Sequence, residues 1–323
     1  MRPLLEKMID PAQVAFIPNR SISENVVIAQ EVVHSFNDMK RNRGCIRIRL
    51  DLHKAYDKME WNFISAVLRA FGFSQKFTKL IHQCMSTVNY TLLLNGGKQT
   101  RISPSRGLRQ GDPLSPYLFV IGSEVLARLI NGEDNRGSIK EVKVYNVAPP
   151  ITKLFYADNV MLFCNAKMSE VRALMNFLLL YCEWSGQSIS LEKIGVFSSK
   201  GDHSQFLWQI KDQTGIKKLS QGTKYLGVPL FLSNNRSRDF EYVKNKVQAR
   251  TASWKSKSLS WSGRAALIKL VAQAIPNYTM SRFMFPQTLN GKSDAAVRRF
   301  WWSPKKDNQN FYSPLAWDEY ASH

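Results

Sequence analysis

Two short segments, residues 45–52 and 154–164, restrict the fold more than anything else in this 323-residue chain. In the first, Ile46, Ile48, Leu50 and Leu52 alternate with Arg47, Arg49 and Asp51, a period of two that predicts a strand with an apolar and a polar face. In the second, two apolar runs flank Ala157, Asp158 and Asn159, which predicts two strands meeting at a tight turn that carries a carboxylate. Carboxylates on two strands, Asp51 and Asp158, are a rigid way to share a cation. Each also has a plainer explanation. Asp51 suits a polar strand face paired with Arg49 or Lys54, and Asp and Asn both suit the centre of a tight turn.

Composition narrows the partners. A hydrophobic fraction of 44% with 11% aromatics can fill the core of one large or two ordinary domains and argues against disorder. Forty-five Lys+Arg against 25 Asp+Glu leave a formal charge of +20, which favours a polyanionic partner, nucleic acid before membrane; a protein that is merely basic is the plainer alternative. Cys45, Cys84, Cys164 and Cys182 show no paired spacing, so neither a zinc site nor a disulfide framework is expected and reduced thiols are. Arg2, Glu6, Lys7 and Asp10 are incompatible with a signal peptide, and no apolar run approaches a membrane span. An intracellular protein is expected, with nothing to choose between nucleus and cytoplasm.

Along the chain, Ile22, Val26, Ala29, Val33 and Phe36 recur at helical spacing behind Ser21 or Ser23 as a cap. Trp61, Ile64, Leu68 and Phe71 predict a second helix, stopped by Gly72. Residues 90–94 and 98–102 read as a hairpin around Asn95, Gly96 and Gly97. Residues 104–117 form a loop punctuated by Gly and Pro that ends with Ser115 as N-cap and Pro116 at the first helical position. The helix it opens should run to about Ile130, with a surface loop over 131–138, and residues 174–184 should be helical up to Ser185 and Gly186. From about residue 231 the chain turns basic: Lys244, Lys246, Arg250, Lys255, Lys257, Arg264 and Lys269 face the single acid Glu241, with Trp254 and Trp261 interleaved. This predicts a second, mostly helical domain separated near 234–237, and a small subdomain in the last forty residues.

Joining a nucleotide to a strand needs an attacking 3′-hydroxyl and a pyrophosphate leaving group, both of which divalent cations can stabilise. Asp51 and Asp158 would suffice for at least one Mg²⁺, an ion that keeps waters and substrate phosphates as its other ligands. In the loop, Gly107 and Gly111 let backbone approach a ligand while Arg106, Arg109 and Gln110 offer donors to phosphates or base edges; alternatively its Gly and Pro only shape the entry to a buried helix. The basic segment with its tryptophans suits duplex backbone contact plus stacking, or is a solvated face.

Taken together and in order, these segments resemble the reverse transcriptase of non-LTR, LINE-type retrotransposons, plant ones in particular, over nearly the whole chain. Residues 16–25 resemble a fingers motif of that family, with Asn19 where Gly is usual. Residues 50–61 resemble the first palm motif, which maps a metal-binding carboxylate to Asp51 and a ribose-gating aromatic to Tyr56. Residues 107–119 are nearly the family's template and nucleotide loop. The catalytic hairpin, Phe/Tyr-Ala-Asp-Asp in the family, is here Tyr156, Ala157, Asp158 and Asn159. Residues 185–193 resemble the next motif, whose lysine, thought to protonate pyrophosphate, falls on Lys193; Ser190 stands where Asn is common. Residues 225–230 resemble the primer-gripping hairpin, and 254–264 the thumb.

The resemblance implies an α+β right-hand polymerase fold: truncated fingers and palm over 1–230, a basic helical thumb over 231–285 and a truncated connection segment over 286–323. It implies RNA-directed DNA polymerisation with Mg²⁺ or Mn²⁺. Asp51 and Asp158 would bind metal, with Asn159 and Lys193 completing the catalytic set. Arg20, Tyr56, Arg109, Gln110, Gly111 and Pro113 would contact nucleotide or template, and Tyr225, Leu226, Gly227, Lys255, Lys257 and Arg264 the primer. Partners would be an RNA template, a DNA primer, their RNA–DNA heteroduplex and deoxynucleotide triphosphates, with no membrane. Asn159 removes one negative charge from the triad, so activity should be impaired, the truncated fingers adding to the loss; the alternative is a nucleic-acid-binding remnant without chemistry.

Overall fold

A computed structural model describes residues 2–38, 44–135, 139–143, 149–198, 204–220, 222–254 and 259–302. The architecture is α+β, and the chain divides into two compact units, residues 1–220 and 221–323. That division lies upstream of the boundary expected at 230, so the hairpin around Leu226 belongs to the second unit.

In the first unit the order is α1 (Arg2–Met8), α2 (Ile22–Asp38), β1 (Cys45–Asp51), α3 (Ala55–Lys58), α4 (Trp61–Ala70), α5 (Gln75–Ser86), β2 (Tyr90–Leu94) and β3 (Gly97–Ile102). There follow α6 (Ser115–Asn135), β4 (Lys153–Tyr156), β5 (Asn159–Asn165), α7 (Met168–Ser185), β6 (Gly195–Ser198), α8 (Ser204–Thr214) and β7 (Lys217–Lys218). The main sheet has the order β4-β5-β1-β6-β7, antiparallel except for β6 with β7. The strand singled out by its alternation is therefore central. Its expected polar face is not open to water: Ile46, Ile48 and Leu50 are buried, but so is Arg47, whose guanidinium carbon lies 5.3 Å from the centre of the Phe197 ring.

One core joins this sheet to Phe63, Ile64 and Leu68 of α4, Leu118, Phe119 and Ile121 of α6, and Leu174, Leu178 and Tyr181 of α7. Each such side chain contributes about 1.5–3 kcal/mol by leaving water. Helix α4 stops as expected: Gly72 adopts φ 84°, and the amides of Gly72 and Phe73 close back on the Arg69 and Leu68 carbonyls. Helix α6 departs from expectation at both ends. The Asp112 carboxylate accepts from Leu114 N at 2.8 Å, and Leu118 N already reaches the Leu114 carbonyl, so the turn forms ahead of Ser115. The helix also continues through Asn135, making residues 131–135 helical rather than loop. Asn131 is held there by donating to the buried Asp10 carboxylate at 2.8 Å.

In the second unit come β8 (Lys224–Tyr225), β9 (Val228–Pro229), α9 (Arg236–Asp239), α10 (Glu241–Trp254), α11 (Trp261–Leu267), a π-helical turn (Ile268–Ala272), α12 (Ala274–Met280) and α13 (Gln287–Trp302). The wide turn, closed by Gln273 N to the Ile268 carbonyl at 3.0 Å, precedes Pro276, which has no N–H to offer the Ala272 carbonyl. The stretch 234–237 caps a helix: the Asn235 side chain accepts from Arg238 N at 3.1 Å. Trp254, grouped in the sequence with Trp261 as a stacking residue, is buried with Ile268, Phe300 and Trp301, while Trp261 is 53% exposed. Among the described residues no helix is long and apolar enough to cross a membrane, and none of the four cysteines is in a disulfide.

Candidate active site

Strand register brings the two carboxylates to one place. Asp51, the last residue of β1, is opposite Asn159, the first of β5, and Asp158 sits one residue earlier in the turn between β4 and β5. The segment after α7 then closes on the end of β1: His53 N reaches the Ser188 carbonyl at 2.8 Å and Ser190 N the Asp51 carbonyl at 2.9 Å. A turn at Ser190, with Lys193 N and Ile194 N both on its carbonyl, brings Lys193 Nζ to 3.2 Å from Asp51 Oδ1. Asn159 donates from Nδ2 to Asp158 Oδ1 at 3.4 Å. Tyr56, on α3, lies flat on Phe119 of α6, ring centres 4.8 Å apart and planes 7° from parallel.

The electrostatics mark a shared patch. Burial holds the Asp158 carboxyl above the usual carboxylate range; the Asp51 charge adds to this, and its own backbone amide, Lys193 and Asn159 oppose it. Burial, with the Asp158 charge beside it, pushes the Tyr56 hydroxyl up to about 12. A pair of carboxylates whose charges oppose each other, with only oxygen donors, fits a hard divalent cation. Among the described residues no three Asp, Glu, His or Cys side chains gather to hold a metal, so two carboxylates would need waters and substrate phosphates as the remaining ligands, a division of labour that suits Mg²⁺.

The glycine-punctuated loop docks beside this patch. Gly107 has φ 94°, and a Cβ there would lie 2.7 Å from the Asp57 carbonyl oxygen; only glycine lets the loop lie against α3. Gly107 N bonds the Met59 carbonyl at 2.9 Å, Leu108 N the Tyr56 carbonyl at 2.7 Å, and Trp61 Nε1 the Gly107 carbonyl at 2.7 Å. The loop is thus fastened to the same short helix that carries Tyr56. Beyond it Arg109, Gln110, Gly111 and Pro113 are exposed, with Gln110 Nε2 3.3 Å from Asp57 Oδ1.

Arg20 lies elsewhere. Its guanidinium donates to the carbonyls of Glu6, Ile9, Asp10 and Gln13, binding the end of α1 to the segment after it. Asn25, from the same motif, is buried and donates to the Phe155 carbonyl of β4 at 2.8 Å. Sequence reasoning missed that Asn25 clasps the outer edge of β4 while Arg20 ties down the segment after α1. It also missed Gln13, a single polar side chain in the apolar run 12–17, which was the available signal, and Phe119 as the support under Tyr56.

In the second unit Tyr225 is buried, so the turn presents Leu226, at φ 47°, and the exposed Gly227. Two tyrosines fasten this turn: Tyr278 donates to the Leu226 carbonyl at 2.6 Å and Tyr242 to that of Gly227 at 3.4 Å. Arg264 donates to the Trp301 carbonyl at 2.8 Å and its guanidinium carbon lies 4.5 Å from the Trp261 ring centre. Lys255 and Lys257 lie outside the described residues.

Residues 1–230 match the family described as reverse transcriptase (RNA-dependent DNA polymerase). Relatives include the retrovirus-related Pol polyprotein from the type-2 retrotransposable element R2DM of Drosophila melanogaster, 28% identical over 61% of this chain and 18% of that protein. Another is a 149 kDa protein of transposon TX1 of Xenopus laevis, 26% identical over 85% of this chain and 21% of that protein. The chain therefore spans about a fifth of the length of these relatives. A telomerase structure from Candida albicans aligns with 93% of this chain and 51% of its own at 12% identity, TM-score 0.48. With its family model matched from the first residue past the palm-like sheet, the chain belongs to the reverse transcriptase (RNA-dependent DNA polymerase) family.

Proposed function

We propose that the patch around Asp51 and Asp158 is the nucleotidyl-transfer site of an RNA-directed DNA polymerase domain from a non-LTR retrotransposon, of the plant lineage its motifs resemble. The observation that carries the reading is the register of β1 with β5, which sets the two carboxylates together beside Lys193. Asp51 and Asp158 would hold a divalent cation, Mg²⁺ or Mn²⁺, which when bound would stabilise charge on the attacking and leaving oxygens. Lys193, already bonded to Asp51, is the proton source for departing pyrophosphate. Tyr56, held flat by Phe119, bounds the sugar of an incoming deoxynucleotide and disfavours a 2′-hydroxyl. Arg109, Gln110, Gly111 and Pro113 border the template and nucleotide, and the turn at Leu226 and Gly227 with Arg264 serves the primer.

Asn159 sets the level of activity. Its amide nitrogen faces the Asp158 oxygen, so position 159 offers a neutral donor where the family motif would add a negative charge. That favours a second reading, in which the domain grips RNA and heteroduplex through its formal charge of +20 without efficient chemistry. Primer extension on an RNA template with Mg²⁺ decides between them. Asn159→Asp should raise extension about 10–100-fold over wild type, with Asp51→Ala as the inactive control. An Asn159→Asp protein no better than that control would end the polymerase reading; binding that weakens steeply with salt would then leave the remnant.

A further inference from the structure

The turn that carries Asp158 is held in a conformation its own sequence disfavours. Ala157 has φ 52°, a region that penalises any Cβ and persists only where surrounding structure enforces it. A neighbouring segment enforces it. The segment between α1 and α2 lies along β4 in a parallel bridge, with Phe155 N on the Ala12 carbonyl at 2.9 Å and Val14 N on the Phe155 carbonyl at 3.2 Å. Between those two bonds Gln13, 2% exposed, turns its side chain along the strand. Its Oε1 accepts from Ala157 N at 3.2 Å and from Ala15 N at 3.0 Å, while Nε2 is 3.5 Å from Ser123 Oγ of α6.

We infer that Gln13 is a positioning residue for the metal-binding pair: by holding the Ala157 amide it keeps the turn at positive φ and so keeps the Asp158 carboxylate beside Asp51. A side chain that only filled the core would not need its acceptor aimed at the amide of the strained residue. The inference rests on the reading of Asp51 and Asp158 as cation ligands, and concerns which residue outside the sheet sets their geometry.

The test uses the whole chain with Mn²⁺ as the probe. Gln13→Met keeps length and removes the acceptor, and Ala157→Gly removes the need for one, because glycine takes positive φ freely. Manganese affinity by electron paramagnetic resonance should fall about 10–100-fold in Gln13→Met, as for other residues that orient metal ligands, and return in the Gln13→Met, Ala157→Gly double variant. Hydrogen exchange should show residues 155–159 losing protection in the first and regaining it in the second. A folded Gln13→Met with unchanged affinity and exchange overturns the inference, as does a double variant that recovers neither. Should Gln13→Met fail to fold, comparison of the double variant with Ala157→Gly alone carries the same question, and unequal Mn²⁺ affinity counts against it. If Asp158→Ala binds Mn²⁺ as well as wild type, the cation reading fails separately, and the exchange data alone decide whether Gln13 sets the turn.

Discussion

Two hairpins among the described residues of the first unit are built on opposite principles. The β2–β3 hairpin turns through Asn95 and Gly96, at φ 50° and 80°, residue types that adopt such angles readily; every residue of both its strands is exposed. The β4–β5 hairpin turns through Ala157 and Asp158, with alanine, which lacks the polar side chain that lets Asn adopt such angles, at φ 52°, and its β5 strand is buried from Val160 to Cys164. The first has no strand residue buried against the rest of the molecule. The second is held from outside, by Gln13 on Ala157, Asn25 on Phe155 and Lys153 of β4 in a buried ion pair with Asp10. A turn that must aim a carboxylate cannot also be chosen for its own comfort, and the tertiary structure supplies what the local sequence withholds.

The sharpest way to break this contrast is to remove the ion pair. Lys153 and Asp10 expose 6% and 10% of their side chains and lie 3.2 Å apart, with Asn131 bonded to both. Burial alone would raise the Asp10 pKa, but Lys153, the Ala12 amide and Asn131 together hold it below the usual 3.8. Lys153→Ala strands a buried carboxylate and should cost about 3–5 kcal/mol in a urea titration at neutral pH. Because the folded pKa is depressed, the contribution of Asp10 is complete above its ordinary range and fades as pH falls through the lowered value. Without Lys153 the buried carboxyl takes up its proton more readily, so the gap between wild type and variant should narrow on acidification. A gap that is small at neutral pH, or that widens on acidification, would show that β4 does not depend on this pair.

Asn25→Ala should come next. Asn25 is 1% exposed and its amide reaches the Phe155 carbonyl, which keeps a second donor in Val14 N. The carbonyl is not orphaned, so the loss is one buried hydrogen bond and a small void, about 1–2 kcal/mol. A neutral result would assign the clasp to Gln13 and the ion pair alone.

How much of this was legible follows the same division. Features written in local pattern were read correctly: β1 as a strand though not its polar face, the Gly72 stop, a hairpin turning at Asn95 and Gly96 with Gly97 already in the strand, and the turn carrying Asp158. From the sequence Asp51 and Asp158 were expected to share a cation, but no local pattern shows what brings them together, the pairing of Asp51 with Asn159 across more than a hundred residues. Arg20 was read as a ligand residue from its motif, while its guanidinium is committed to four backbone carbonyls. A guanidinium suits anions and carbonyls equally, and only the fold decides which it meets. Residues 131–135 read as loop because Asn, Gly, Glu and Asp are weak or turn-prone in helices; the bond from Asn131 to Asp10, invisible to propensity, keeps α6 going.

The smallest expected effect lies in the other hairpin, and it is the most discriminating for that reason. Gly96 has φ 80° with nothing within 4 Å of a Cβ placed there, so Gly96→Ala adds backbone strain of about 1–2 kcal/mol and no clash. In a buried hairpin such strain would be charged to the whole cooperative unit. Here both strands are exposed throughout, and a two-stranded hairpin alone is marginal in water, so the strain should be released by local opening. Amides of residues 90–102 should lose exchange protection, while global stability moves by no more than about 0.5 kcal/mol. A global loss equal to the full strain would mean that the β2–β3 hairpin folds as part of the core, and the contrast between the two hairpins would disappear.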